Sequence, residues 1–198
     1  MRLTIIIPVL NEAEGLPGML GHLASLCGRG TEVIVVDGGS EDDSRQAALH
    51  AGAQVIRSER GRARQMNAGA AVARGDILLF LHADTALPFV AEPAIETAVR
   101  RGGGAGEHVW GRFDVRISGR SFMLPVIASL MNLRSRLSGI ATGDQAMFMT
   151  RRAFESVGGF PDQPLMEDIE LSRRLLALSR PVCLPDRAVT SGRRWETF

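Results

Sequence analysis

The feature that most constrains this chain is a repeated local pattern. Three continuous apolar runs, LTIIIPVL at residues 3–10, EVIVVD at 32–37 and DILLFLHAD at 76–84, are separated by stretches of helical character. An unbroken β-branched run is what a strand covered on both faces requires; a strand with one wet face would alternate. Between the first two runs, Leu16, Met19, Leu20, Leu23 and Leu26 recur close to helical spacing over residues 15–27. Residues 43–51 read as a helix and 53–58 as a short strand. Residues 62–74 read as an Ala-rich helix, which Gly75 can stop in the left-handed region. A further helix at 88–101 is closed by Gly102, Gly103 and Gly104. This βαβα order predicts an α/β fold, a mostly parallel sheet flanked by helices.

The second half is less regular. Residues 107–117 alternate as a strand, 120–137 are helical, 145–150 form a strand and 151–157 a short helix. A Pro/Gly-rich loop at 158–164 precedes an amphipathic helix at 167–178, and PVCLP and AVTS are two short strands near the end. At 198 residues, with 45% hydrophobic and 23% charged residues, the chain is expected to be one globular domain, 1–198. A soft division near residues 102–106 separates a half 1–101 from a half 102–198.

Composition excludes several chemistries. The 23 basic residues against 22 acidic ones leave a net charge of +1, so no nucleic-acid partner is expected. Every basic residue is Arg; without Lys there is no P-loop lysine, Schiff base or Ser–Lys dyad. Cys27 and Cys183 fit neither a metal knuckle nor a disulfide scaffold, which implies a reducing, cytoplasmic compartment. The short apolar run after Arg2 is followed by acids and reads as a strand, not a signal peptide. The later apolar stretch 122–133 is shorter than the roughly 20 residues of a spanning helix. We expect it to be a core helix, because its polar face is poor in bases for an interfacial one. Peripheral membrane contact and a homo-oligomer stay open.

Open parallel sheets bind ligands beyond the carboxyl ends of their strands, and the three runs end in polar clusters there. The first runs into Asn11 and Glu12, the second into Asp37, Gly38, Gly39 and Ser40, the third into His82, Ala83 and Asp84. Each alone is an ordinary turn composition; together they suggest one ligand edge. Asp37 can accept a uracil imide N–H or a ribose hydroxyl, and Gly38 lets the backbone come close. Asp84 would repel a diphosphate unless a divalent cation, Mn²⁺ or Mg²⁺, sits between them. Arg62 and Arg64 open a helix whose N-terminal amides also favour anions, or they are simply solvated. Gly143, Asp144 and Gln145 can meet a hydroxyl-rich ligand. Glu167 and Asp168 either complement a helix dipole or present a base to a hydroxyl nucleophile. Arg193, Arg194 and Trp195 form either a lid over phosphate or a solvated pair beside a packed ring.

Taken in order, IPVLNEAEGL, VVDGGSEDDS, GRARQMNAGA, GDILLFLHADT and GDQAMFMTRRAFESVGGFPDQPLMEDIELSRRL resemble the motifs of the family 2 glycosyltransferases. The resemblance covers essentially the whole chain and implies the GT-A fold, a Rossmann-like sheet with a nucleotide-binding half and an acceptor half. GRARQMN, LHADT and GDQAMF are most similar to a bacterial subgroup associated with arsenosugar biosynthesis. It implies an inverting transferase that moves a sugar from a nucleoside-diphosphate donor, UDP-linked, to an acceptor hydroxyl. The implied nucleotide contacts are Pro8, Leu10, Glu12, Asp37, Gly38, Arg62, Arg64, His82 and Ala83, with Asp84 on the metal. Asp168 becomes the base, with Glu167 beside it. Gly143, Asp144 and Gln145 face the sugars, and Arg193, Arg194 and Trp195 the phosphate. Two departures stand out. His82 occupies the first place of the usual Asp-x-Asp, and Ser191 replaces the Gln of the processive Gln-x-x-Arg-Trp, which argues against polymer synthesis. A dinucleotide oxidoreductase would need G-x-G-x-x-G where Asn11 and Glu12 stand, and an Asp-nucleophile phosphatase would need Asp in place of His82. A non-catalytic nucleotide-binding or assembly module of the same fold is the remaining alternative.

Overall fold

Ile5, Ile6 and Ile7 are each fully buried, as a strand packed on both faces must be. They lie in a computed structural model that describes residues 1–28 and 30–193. The first half follows the expected alternation: β1 (Leu3–Val9), α1 (Leu16–Leu26), β2 (Glu32–Asp37), α2 (Ser44–His50), β3 (Gln54–Arg57), α3 (Arg62–Val72) and β4 (Ile77–Phe80). The second half contains β5 (Thr85–Ala86), α4 (Ala91–Arg101), β6 (Trp110–Ser118), α5 (Leu124–Ser138), β7 (Met147–Thr150), α6 (Arg151–Ser156), α7 (Glu167–Leu176) and β8 (Val182–Ser191). A single eight-stranded sheet runs β3-β2-β1-β4-β7-β6-β8-β5. Strands β1 to β4 pair in parallel, whereas β7 is antiparallel to both of its neighbours, β4 and β6. The parallel character therefore belongs to the first half, and a mixed sheet continues it.

Strand periodicity sorts the core into two layers. Ile5, Ile7, Val35 and Leu79 face α1 and α4 through Leu16, Leu20, Leu23, Ile95 and Val99. Ile6, Ile34, Val36, Leu78 and Phe80 face α3 and α7 through Ala63, Met66, Leu171 and Leu175. Phe80, Phe154 and Phe160 interlock with ring centroids 4.8 to 5.9 Å apart. Asn67 of α3 bonds both the N–H and the carbonyl of Phe160, at 2.9 and 2.8 Å. This fixes the loop that leads into α7.

Three local expectations are corrected. Helix α3 ends at Val72 with an extended cap at Ala73, so Gly75 does not stop it. A Cβ at Gly75 would sit 2.6 Å from Thr4 Oγ1 and 2.8 Å from the Arg2 carbonyl, so the position is glycine because β1 passes close by. PVCLP and AVTS are one strand, β8, whose register with β6 shifts between Phe113 and Asp114, leaving Pro185 and Asp186 bulged. Third, α5 is a core helix on one side only, where Leu124 and Ala128 pack with Val115 and Ile117. It buries only Leu124, Ala128 and Ser135 and leaves Val126, Leu130, Leu133 and Leu137 exposed.

Helix α5 is held to β6 by charge. Arg112 is fully buried, donates to Ser135 Oγ at 3.0 Å and to the Asn132 carbonyl at 3.2 Å, and pairs with Asp114. Asp114 also takes Arg136 at 2.7 Å. Among the described residues, no helix is long and apolar enough to cross a membrane.

Candidate functional site

The loops after β1 and β2 are clasped by four hydrogen bonds. Asn11 donates its N–H to Ser40 Oγ and accepts from the Glu41 N–H; the Glu12 N–H reaches Ser44 Oγ at 2.7 Å, and the Ala13 N–H reaches Asp42 at 3.0 Å. Asn11 adopts a left-handed conformation, φ 56°, which Asn tolerates better than most residues. The Ser44 hydroxyl, and then the backbone N–H groups of Ala13 and Ser44, hold the Asp42 carboxyl below the usual aspartate range. The strand ends therefore meet as a preorganised edge.

Against that edge lies a cleft of about 280 Å³. Pro8, Leu10, Glu12, Arg62, His82, Ala83 and Asp84 line it, each at a position expected from sequence. Arg60 and Gln65 line it as well and were missed. Arg60 lies in the RSERGRAR run, whose charge density was its only signal. Gln65 lies in the first turns of α3, inside the GRARQMN segment, where nothing in the sequence singles it out. It is buried, donates to the carbonyls of Val9 and Val36 at 2.9 and 2.8 Å, and ties the ends of β1 and β2 together. Arg64 turns away from the cleft to Asp162 and Glu59, at 2.9 and 2.7 Å.

Asp37, the last residue of β2, and Gly38 do not line that cleft. A Cβ at Gly38 would come within 2.9 Å of the Gln65 side chain, so only glycine leaves room there. Asp37 Oδ1 accepts from the Ser40 N–H at 3.0 Å. Its other oxygen, Oδ2, is buried with no hydrogen-bond partner among the described residues, and the Arg57 Nε stands 4.0 Å away. A buried anionic acceptor left unpaired is costly, and a ligand donor would recover that cost.

The acceptor-side residues converge on His82. Its Nδ1 lies 3.2 Å from Asp144 Oδ1, and Gly143 lies so close to Nε2 that a Cβ there would clash with it. The Gly143 N–H donates to Asp168 Oδ2 at 2.7 Å, and Asp168 Oδ1 accepts the Ile169 N–H at 2.7 Å. His82, Gly143, Glu167 and Asp168 wall one small cavity, and His82 also lines the main cleft. Glu167 is buried at the first turn of α7, after Met166 in a left-handed conformation. Gln145 does not face the cleft. It is fully buried, accepts from the Thr142 N–H at 3.2 Å and reaches Asn132 at 3.3 Å. Arg193 lies at the rim, 3.8 Å from Glu12. Arg194 and Trp195 lie outside the described residues.

Among the described residues, no group of three or more His, Cys, Asp or Glu side chains is placed to hold a metal ion. A cation carried by a diphosphate needs only one or two protein carboxylates, taking its other oxygens from phosphate and water. Asp84, half-buried on the cleft wall, fits that donor set. His82, whose Nδ1 is engaged by Asp144 and whose other ring edge is crowded by Gly143, fits it less well.

The model of the family described as "Glycosyl transferase family 2" matches residues 4–158. An undecaprenyl-phosphate 4-deoxy-4-formamido-L-arabinose transferase of Aeromonas hydrophila is 31% identical over 110 residues, covering 50% of this chain and 34% of that one. The chain thus spans about a third of the length of that curated relative. Among solved structures, S. aureus TarS 1-349 in complex with UDP-GlcNAc superimposes with a TM-score of 0.76 at 17% identity, covering 96% of this chain and 58% of that one. A mannosyltransferase from Pyrobaculum calidifontis in complex with GDP-Man and Mn²⁺ gives 0.71 at 22% identity, covering 95% and 56%. These two likenesses concern the fold.

Proposed function

The chain belongs to glycosyl transferase family 2 and has the GT-A fold, and from that premise we propose that it transfers a sugar from a nucleoside-diphosphate donor to an acceptor hydroxyl. The observation that carries this is the juxtaposition at His82: one ring borders both the cleft at the strand ends and the small cavity holding Asp168. The donor lies in the cleft, with its base and ribose toward Asp37 and Gly38 and its diphosphate toward Arg60, Arg62 and Asp84. The unmet Asp37 oxygen supports a uridine imide or a ribose hydroxyl as the donor that fills it. The UDP-GlcNAc bound by TarS supports a UDP-linked donor.

Asp168 is the base. Its two oxygens are aimed by the Gly143 and Ile169 N–H groups. It takes the acceptor's hydroxyl proton as that oxygen attacks the anomeric carbon. The bond from the anomeric carbon to the diphosphate breaks in the same displacement, and configuration inverts. Arg60 and Arg62 stabilise the charge that develops on the departing diphosphate. Asp84 would hold a divalent cation, which would supply further neutralisation of that charge; the Mn²⁺ complex of the Pyrobaculum neighbour supports this. Residues 1–101 serve the nucleotide and 102–198 the acceptor. The GRARQMN, LHADT and GDQAMF segments support a place near arsenosugar-associated chains, and the two free cysteines support a reducing, cytoplasmic setting.

The test is turnover across a panel of sugar nucleotides with Asp168→Asn. The expected result is a rate lower by about 10²- to 10⁴-fold with nucleotide affinity retained. Unchanged rate and affinity would remove Asp168 from the mechanism. Affinity without turnover in the unaltered chain would favour the non-catalytic module.

A further inference from the structure

Helix α5 leaves a long apolar stripe in solvent. Phe122 is 83% exposed and Leu137 71%, and Val126, Leu130 and Leu133 lie between them. Phe122 lies in the turn before the helix; at 3.6 residues per turn the other four side chains occupy an arc of about 60°, opposite the buried Leu124, Ala128 and Ser135. The hydroxyls that border the stripe are turned inward: Ser129 donates to the Pro125 carbonyl at 2.8 Å and Ser138 to the Arg134 carbonyl at 2.7 Å. The helix thus offers almost no free polar group on that side.

The sequence that leads into and through the helix carries charge of one sign. Residues 115–143 contain no Asp or Glu, and they carry Arg116, Arg120, Arg134 and Arg136. All four are exposed. Arg134 flanks one edge of the stripe and Arg136 the other. Arg116 and Arg134 have no carboxylate partner among the described residues. A symmetric contact between two copies through this face would set arginines against arginines. A surface that is apolar beneath and anionic above satisfies both features at once.

We propose that α5 is an interfacial anchor, by which the protein docks peripherally on an anionic lipid bilayer. The helix lies in the plane of the interface with Phe122, Leu130, Leu133 and Leu137 among the acyl chains, and Arg116 and Arg134 at the lipid phosphates. The inference is independent of the transfer chemistry.

The test is co-sedimentation of the full chain with phosphatidylcholine vesicles, with and without phosphatidylglycerol. The chain is expected to pellet with the anionic vesicles and to be released by high salt. Leu130→Gln with Leu133→Gln is expected to lower the partition at least about tenfold, with thermal unfolding like that of the unaltered chain. Arg116→Gln with Arg134→Gln should abolish the preference for the anionic lipid. Phe122→Trp should report a blue-shifted emission on vesicles. No binding by the unaltered chain, binding undiminished by the two leucine changes, or an unshifted Trp would overturn the proposal. So would a lipid-free dimer that the leucine changes dissociate, since it would assign the face to a second copy.

Discussion

The backbone N–H of Gly143 donates to Asp168 Oδ2 at 2.7 Å while the same glycine packs against the imidazole of His82. The turn between α5 and β7 thereby couples Asp168 to the wall of the cleft at His82. Gly143→Ala inserts a methyl where the His82 ring lies, so either the ring or the turn must move. The account predicts a loss of about 10²-fold in kcat/KM, the scale of a misplaced catalytic group. Melting temperature, read in the same preparation, should change far less than activity. A fully active Gly143→Ala enzyme would show that the His82 and Asp168 alignment is not required.

Asp114 neutralises Arg112, which is fully buried beneath α5. Asp114→Ala leaves that charge uncompensated and is predicted to destabilise the protein by about 3–5 kcal/mol. Asp114→Asn, which keeps an acceptor, should cost less. Denaturant unfolding of the two variants checks the order, and equal losses would mean that packing and not charge holds α5 to β6.

Burial, with a smaller contribution from the nearby Glu92 carboxylate, pushes the Cys27 thiol up to about 11. The folded state therefore holds the thiol proton more tightly than the unfolded chain, whose thiol titrates near 9.0. The neutral thiol's contribution to stability is fully present below pH 9.0 and is lost as pH rises toward about 11. Iodoacetamide should modify Cys27 slowly at pH 9.0 in the native protein and rapidly after unfolding. Equal rates in the two states would contradict the assignment.

The first half was legible because each of its signals is local. A strand covered on both faces must be an unbroken apolar run, and β1, β2 and β4 are such runs. Of the polar clusters at their ends, Glu12, His82, Ala83 and Asp84 line the cleft, while Asn11 and the cluster from Asp37 to Ser40 do not. What was missed depends on partners distant in sequence. Gln65 matters because it bridges the Val9 and Val36 carbonyls, and nothing within the GRARQMN segment announces that. Gln145 turned inward to Thr142 and Asn132. Arg64 was captured by Asp162, 98 residues away. Helix α5 was misjudged because apolar content does not say which side of a helix the sheet covers.

The central claim is that a nucleoside-diphosphate sugar occupies the cleft walled by His82 and Asp84, with its base reaching toward Asp37. Calorimetric titration of UDP and UDP-sugars, with Mn²⁺ and with chelator, tests it most directly on the unaltered chain, Asp37→Asn and Asp84→Ala. The account predicts binding that needs the cation, weakens about 10- to 100-fold in Asp37→Asn, and loses its cation dependence in Asp84→Ala. Binding of equal strength in all three proteins, indifferent to chelator, would contradict it.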